Sequence, residues 1–314
     1  MRYFTLGKTG IVVSQICFGT LTISPLQRNM SLRDGLNVLD EAIDSGINFI
    51  DTADIYDTYH FIKAVLKRNK DLVIATKSYA YDKMTAQSTL ERVLREIGRD
   101  YVDIFLLHEQ ESPLTLKGHE EALNFFIKQK ENGYIRSVGI STHFVKAVHA
   151  ASDMKEIDVI HPILNLRGIG IVDGTREDME HAVASAYMNG KGIYIMKALG
   201  GGHLLKEIEA AYNYILNFPF MHSVAIGMQR VEEVAANVSY FTTGKVPDIL
   251  YNKLNNYKRE LIIQDWCQGC GSCTLRCRQG ALDVIKGKAA VDSSKCILCG
   301  YCASACKELA IKVI

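Results

Sequence analysis

Apolar positions in the first 258 residues alternate between two patterns. Short runs rich in Val, Ile and Phe read as strands: VVSQICFG (12–19), NFIDTA (48–53), DLVIATK (71–77), VDIFLLH (102–108), SVGIS (137–141), VIHPIL (159–164), GIYIMKAL (192–199) and SVAIG (223–227). Between them lie stretches of helical period, such as SLRDGLNVLDEAIDSG (31–46), TAQSTLERVLREIG (85–98), GHEEALNFFIKQKENG (118–133) and TREDMEHAVASAYMNG (175–190). Gly46, Gly98, Gly133 and Gly190 close these segments where a helix C-terminus favours glycine. Strand–helix alternation repeated eight times over about 250 residues predicts an α/β fold, a (β/α)8 TIM barrel. The alternative, an open doubly wound sheet, calls for a glycine-rich phosphate loop after the first strand, and CFGTLTIS has a single glycine.

The pattern changes near residue 259. Eight of the nine cysteines lie between Cys267 and Cys306, and Cys17 is the other. So sharp a shift marks a boundary, with GKVPDILYNKLNNYKRE (244–260) as the connection and expected domains at 1–258 and 259–314. No apolar run reaches the ~18–20 residues of a membrane span, and the N-terminus lacks the apolar core of a signal peptide. A cytoplasmic location is therefore expected, where cysteines serve metals or catalysis more often than disulfides. A net charge of +1 gives no reason to expect nucleic acid or a membrane surface as partner.

In a (β/α)8 barrel the working face is at the C-terminal ends of the strands. There the sequence places Asp51, Tyr56 just beyond it, Lys77, His108, and then Ser141, Thr142 and His143. Each has an ordinary reading alone: a loop cap, a half-buried ring, a strand-end charge, a satisfied core histidine. Together they carry chemistry. A phenol with a pKa near ~10 is a poor acid at neutral pH, and a neighbouring ammonium lowers that value. A buried ammonium wants a counter-charge such as Asp51, and an imidazole can orient a substrate oxygen. The set suits protonation of a carbonyl oxygen while a cofactor delivers hydride.

DTADIY (51–56), IATKS (74–78) and FLLHEQ (105–110), with RYFTLGKTGIVVSQICFGT and LERVLREIGRDYVDIFLLH around them, resemble the catalytic blocks of the aldo-keto reductases over about residues 1–240. The resemblance implies nicotinamide-dependent carbonyl reduction, or alcohol oxidation, with Tyr56 as general acid/base, Lys77 tuning it, Asp51 holding Lys77 and His108 orienting the oxygen. It also implies cofactor contacts at Gly19 and Thr20, at Ser141 and Asn165, at Lys197, Gly200, Gly201 and Gly202 around the pyrophosphate, and at Gly227, Met228, Arg230, Glu233 and Asn237 around the adenosine. Three positions depart from the family: His161 stands for a glutamine, Met196 for the aromatic that stacks on nicotinamide, and Glu233 for the basic residue that meets a 2′-phosphate. NADP and NAD both remain open. The long loops that set substrate choice in this family have no counterpart here.

The cysteines form two runs of identical spacing, Cys267, Cys270, Cys273, Cys277 and Cys296, Cys299, Cys302, Cys306. The tail resembles bacterial dicluster ferredoxins, which implies a small α+β ferredoxin-like domain with two 4Fe–4S clusters and a crossed ligand set. One cluster takes Cys267, Cys270, Cys273 and Cys306, the other Cys296, Cys299, Cys302 and Cys277. Zinc is the alternative for paired C-x2-C units. Arg278 and Lys307 replace the proline that usually follows each run, and their charge would raise a cluster's potential. The expected partners are a small carbonyl substrate and a redox partner protein. Hydride moves two electrons and a cluster one, so the clusters are structural, serve a flavin, or serve a partner. The second functional reading is an electron-transfer or redox-sensing protein that uses the barrel as a scaffold.

Overall fold

The computed structural model describes residues 1–250, 260–308 and 310–313. A hairpin of β1 (Tyr3–Thr5) and β2 (Val12–Ser14) comes first. Eight parallel strands then close on themselves: β3 (Ile16–Gly19), β4 (Phe49–Asp51), β5 (Val73–Ser78), β6 (Val102–Leu107), β7 (Ile135–Thr142), β8 (Val159–Pro162), β9 (Gly192–Met196) and β10 (Ser223–Gly227), with β10 pairing back to β3. The expected (β/α)8 barrel is observed. The apolar run at 12–19 divides at Gln15, one half joining the hairpin and the other the barrel. The run at 192–199 stops at Met196, because Lys197 turns to φ +58°.

Helices wrap the outside, including Leu32–Asp44, Lys83–Ile97, Glu120–Glu131, Arg176–Met188 and Val231–Thr243. Ser31, Asp82 and Thr175 accept hydrogen bonds from backbone N–H groups of the first turns, which fixes where these helices begin. Gly46, Gly98, Gly133 and Gly190 all take positive φ just past helix ends, as the sequence suggests.

Inside the barrel, Cys17, Phe49, Ala75, Ile104, Leu106, Val159 and Tyr194 pack with Leu6, Ile11 and Val13 of the hairpin region, which plugs the N-terminal end. The interior narrows at Gly139, where a Cβ would stand 2.0 Å from the Val159 carbonyl oxygen. With one end plugged and the lower strands packed with apolar side chains, polar groups are left to the other end.

The tail folds as an α+β unit of short hairpins and turns. β11 (Leu261–Ile263) pairs antiparallel with β14 (Ile311–Val313), and β12 (Leu282–Ile285) with β13 (Lys288–Val291). Short helices Ser272–Arg276 and Tyr301–Ser304 follow Gly271 and Gly300, each at φ +77°. The expected division at 258/259 lies outside the described residues.

Gly139→Ala is expected to lower stability by about 1–3 kcal/mol, the usual range for overpacking a core. Urea unfolding of the variant beside the parent checks this, and an unchanged midpoint would mean the interior yields.

Candidate active site

Lys77 and Asp51 point into the barrel from neighbouring strands β5 and β4. Lys77 Nζ donates to Asp51 Oδ1 and Oδ2 at 2.7 and 2.6 Å, and to the Thr52 carbonyl at 2.7 Å. Tyr194 on β9 donates its hydroxyl to Asp51 Oδ1 at 2.9 Å. Both charged side chains are nearly inaccessible, at 2% and 6%. Tyr56 rises from a turn just after β4, and Lys77 Nζ lies 5.2 Å from its ring centroid. His108 follows β6, edge-on to Tyr56 and stacked on Tyr79 at 4.6 Å. The four residues expected to act together are thus brought together.

Their electrostatics differ from the expectation at one point. The Tyr56 phenol is raised well above its usual pKa, first by burial and then by Asp51. Burial and the Asp51 carboxylate outweigh the neighbouring Lys77 ammonium. His108 is lowered well below its ordinary value by burial, then by Lys77 and Arg276, and is held neutral. His161, in the glutamine position, shares its Nδ1 hydrogen with the Tyr194 carbonyl at 2.6 Å and stacks on the Tyr194 ring at 3.8 Å. Burial brings it down to about 4, and His143 to about 3.

A cavity of about 780 Å³ opens above these groups. Of the expected cofactor contacts, Gly19, Ser141, Lys197, Gly201, Gly202, Gly227, Glu233 and Asn237 line it, as do His161 and Met196. Five others do not reach its wall. Thr20 is hydrogen-bonded to Thr58 at 2.9 Å. Asn165 ties its own loop by bonds to Arg167 and Ile169. The Met228 carbonyl accepts from Thr22 Oγ1. Gly200 is buried, and Arg230 precedes helix Val231–Thr243. Glu233 accepts from the Gln229 N–H at 2.6 Å, and Asn237 from Tyr212 at 2.5 Å.

The tail supplies part of the wall: Ile297, Leu298, Cys299 and Tyr301 line the same cavity. Gly201 makes room for it, since a Cβ there would stand 1.9 Å from the Ile297 carbonyl oxygen. Gln27 Nε2 donates to the Leu298 carbonyl at 3.0 Å, and His203 meets the Cys296 carbonyl. Arg276 donates to Tyr79 at 3.0 Å, and Arg278 pairs with Glu109 and Glu111 of the loop after β6. Arg278 thus also makes a docking contact with barrel carboxylates. Sequence reasoning missed Tyr301, Arg276, Tyr79, Gln27 and Tyr194. Only Tyr194, inward by strand alternation, carried a usable signal.

The eight cysteines ring two smaller cavities. One is lined by Cys267, Cys270, Cys273 and Cys306, the other by Cys277, Cys296, Cys299 and Cys302. These are the two crossed sets. Among the described residues no three His, Cys, Asp or Glu side chains close on a single-ion site. Backbone N–H groups of Ala289, Ala310 and Ala281 point at the sulfurs of Cys267, Cys306 and Cys277 at 3.3–3.4 Å, as suits thiolates. Burial pushes the Cys296, Cys299 and Cys302 thiols up, so their thiolates need a bound cation. The donors fit iron–sulfur ligation.

The aldo/keto reductase family model matches residues 15–210. The chain belongs to the aldo/keto reductase family. A 4Fe-4S binding domain model matches residues 289–312. Among relatives, this aldo/keto reductase is 25% identical over 285 residues to the uncharacterized oxidoreductase YqkF of Bacillus subtilis, covering 76% of this chain and 90% of that one. It is 24% identical over 280 residues to L-galactose dehydrogenase of Arabidopsis thaliana, covering 76% and 87%. The solved aldo-keto reductase AKR11C1 of Bacillus halodurans shares the fold, with a TM-score of 0.65, 21% identity, and coverage of 82% of this chain and 96% of that one. Among the described residues no helix is long and apolar enough to cross a membrane.

The buried imidazoles set a pH dependence. Unfolded histidines titrate near ~6.5, while His161 in the fold takes its proton only at about 4. As pH falls through this window the unfolded chain binds more protons, so stability is lost on the acid side. Urea unfolding between pH 7 and 5 should weaken with falling pH, and His161→Gln should remove about one proton from the slope. An unchanged slope would mean that His161 titrates normally.

Proposed function

We propose that the protein is a nicotinamide-dependent reductase of small aldehydes or ketones, also able to run toward alcohol oxidation, with two 4Fe–4S clusters docked at its active site. The observation that carries this reading is the buried Lys77–Asp51 pair under Tyr56 and His108, at one end of a cavity long enough to reach Glu233 and Asn237. Gly19, Ser141, Lys197, Gly201, Gly202 and Gly227 would line the bound nucleotide, which supplies hydride to the carbonyl carbon. Glu233 lies on the cavity wall and Arg230 does not, which supports NADH over NADPH, because a carboxylate repels a 2′-phosphate.

The chain's own part is proton handling. Tyr56 Oη gives its proton to the carbonyl oxygen, which His108 Nε2 orients. The raised pKa of the phenol keeps it protonated until that moment. Lys77 stands near the ring, so the phenolate left behind has a cation within reach. Asp51, Thr52 and Tyr194 hold Lys77 and its counter-charge in place. In the tail, Cys267, Cys270, Cys273 and Cys306 would hold one cluster and Cys277, Cys296, Cys299 and Cys302 the other, each supplying one-electron chemistry.

A second reading, electron transfer or redox sensing on a barrel scaffold, is favoured by Cys299, which lines both the second cysteine cavity and the catalytic one. Titration with NADH and NADPH, following nicotinamide fluorescence and cluster absorbance together, separates the readings. Cluster bleaching without carbonyl turnover would favour the second.

Tyr56→Phe should lower kcat for carbonyl reduction by about 10²–10⁴ while nucleotide binding persists. A folded Tyr56→Phe protein with full activity would end the reductase reading. Reconstituted protein should carry about eight iron atoms, and Cys302→Ala about four. Iron and sulfide analysis checks both, and four in the parent would refute the second cluster.

A further inference from the structure

A carbonyl oxygen that receives a proton from Tyr56 and is oriented by His108 must lie within hydrogen-bond reach of both at once. Among the described residues one atom meets that condition. Tyr301 Oη stands 3.1 Å from Tyr56 Oη and 3.1 Å from His108 Nε2. Tyr301 is not a barrel residue. It lies between Cys299 and Cys302, at the start of the short helix Tyr301–Ser304, in the part of the tail that lines the barrel cavity.

The contact is built, not incidental. The phenol is 8% exposed. Its ring lies edge-on to His108 and under the Arg276 guanidinium, 5.1 Å from the ring centroid. The loop before it is pinned by Gln27 and His203. Gly300 packs so closely that a Cβ there would stand 2.4 Å from the Leu26 carbonyl oxygen. Ile297, Leu298, Cys299 and Tyr301 thus form the wall facing the catalytic residues, the part that long barrel loops would otherwise supply.

We infer that Tyr301 is the specificity-determining residue of the carbonyl site: its hydroxyl holds the oxygen position, and a carbonyl compound binds only by displacing it. The inference rests on the roles of Tyr56 and His108 given above. With the phenol in place, both polar atoms already have a partner. An arriving carbonyl gains only the difference between two sets of hydrogen bonds. Without the hydroxyl, Tyr56 Oη and His108 Nε2 lose that buried partner, and a ligand oxygen relieves the penalty. The ring must go as well for the position to open: in Tyr301→Phe a ring carbon still stands one bond length from it, whereas Tyr301→Ala leaves room for a ligand oxygen beside Tyr56 and His108. The site then selects small carbonyl compounds whose oxygen can enter where the phenol oxygen stood.

The test is calorimetric titration of the full-length, iron–sulfur-reconstituted protein with acetophenone, without nucleotide, for the parent, Tyr301→Phe and Tyr301→Ala. Tyr301→Ala should bind on the order of tenfold more tightly, and Tyr301→Phe, whose ring still blocks the oxygen position, no more tightly than Tyr301→Ala. Damage to the loop alone would not tighten binding. Iron–sulfur absorbance reports whether the tail is assembled; should Tyr301→Ala lose it, Tyr301→Leu, which also withdraws from the oxygen position, decides. Equal or weaker binding by the cluster-loaded Tyr301→Ala or Tyr301→Leu protein, or no binding by any variant, overturns the inference. Because the titration uses neither nucleotide nor turnover, absence of reductase activity in the parent would count against the reductase reading alone.

Discussion

Two opposite charges, Lys77 and Asp51, are sealed inside the barrel, and burying such a pair is costly unless every remaining donor and acceptor is met. Thr52 and Tyr194 meet them, from the turn after β4 and from the far side of the barrel on β9. The pair therefore requires the whole cylinder to be closed and its other end plugged by the hairpin. It also settles its neighbours. Burial first, and the ammonium beside it, keep His108 uncharged, and burial does the same for His161. Burial and the Asp51 carboxylate together raise the Tyr56 phenol, so it stays protonated. A set of neutral donors and acceptors around one internal ion pair suits proton delivery to an uncharged oxygen.

The tail is fitted to this site through the chain neighbours of its cysteines. Arg276 and Arg278 flank Cys277, and Tyr301 stands beside Cys302. These side chains reach Tyr79, Glu109, Glu111, Tyr56 and His108. Cys277 and Cys302 are thus one residue along the chain from side chains that contact the barrel around Tyr56 and His108.

Much of this was legible in the sequence, and the reasons are specific. Strand–helix alternation reported the barrel because buried parallel strands are uniformly apolar. Asp51, Tyr56, Lys77 and His108 were legible because strand ends converge in this fold. The crossed cysteine sets were implied by the resemblance of the tail to dicluster ferredoxins. What stayed hidden depended on contacts between distant segments. Gly201 looked like a phosphate-loop glycine, yet its closest neighbour is the Ile297 carbonyl, 96 positions along the chain. Arg278 was noticed for its place after Cys277, and its contact with barrel carboxylates had no trace in the sequence. Tyr301 carried no signal, because an aromatic between two cluster cysteines reads as local packing until its docking partner is known. The lowering of the Tyr56 phenol was expected from Lys77 alone, and failed because burial and Asp51 outweigh one compensated ammonium.

The pairing of Leu261–Ile263 with Ile311–Val313 has an evolutionary corollary. It brings the two ends of the tail together, so the unit completes its own small sheet without borrowing a strand from the barrel. A cassette of this kind can be appended to an established enzyme while both interiors keep their packing. Adaptation then falls on a few positions at the seam, such as Gln27, the Glu109–Glu111 loop and Gly201. The new arrival needs only one well-placed side chain to alter what the older catalyst accepts.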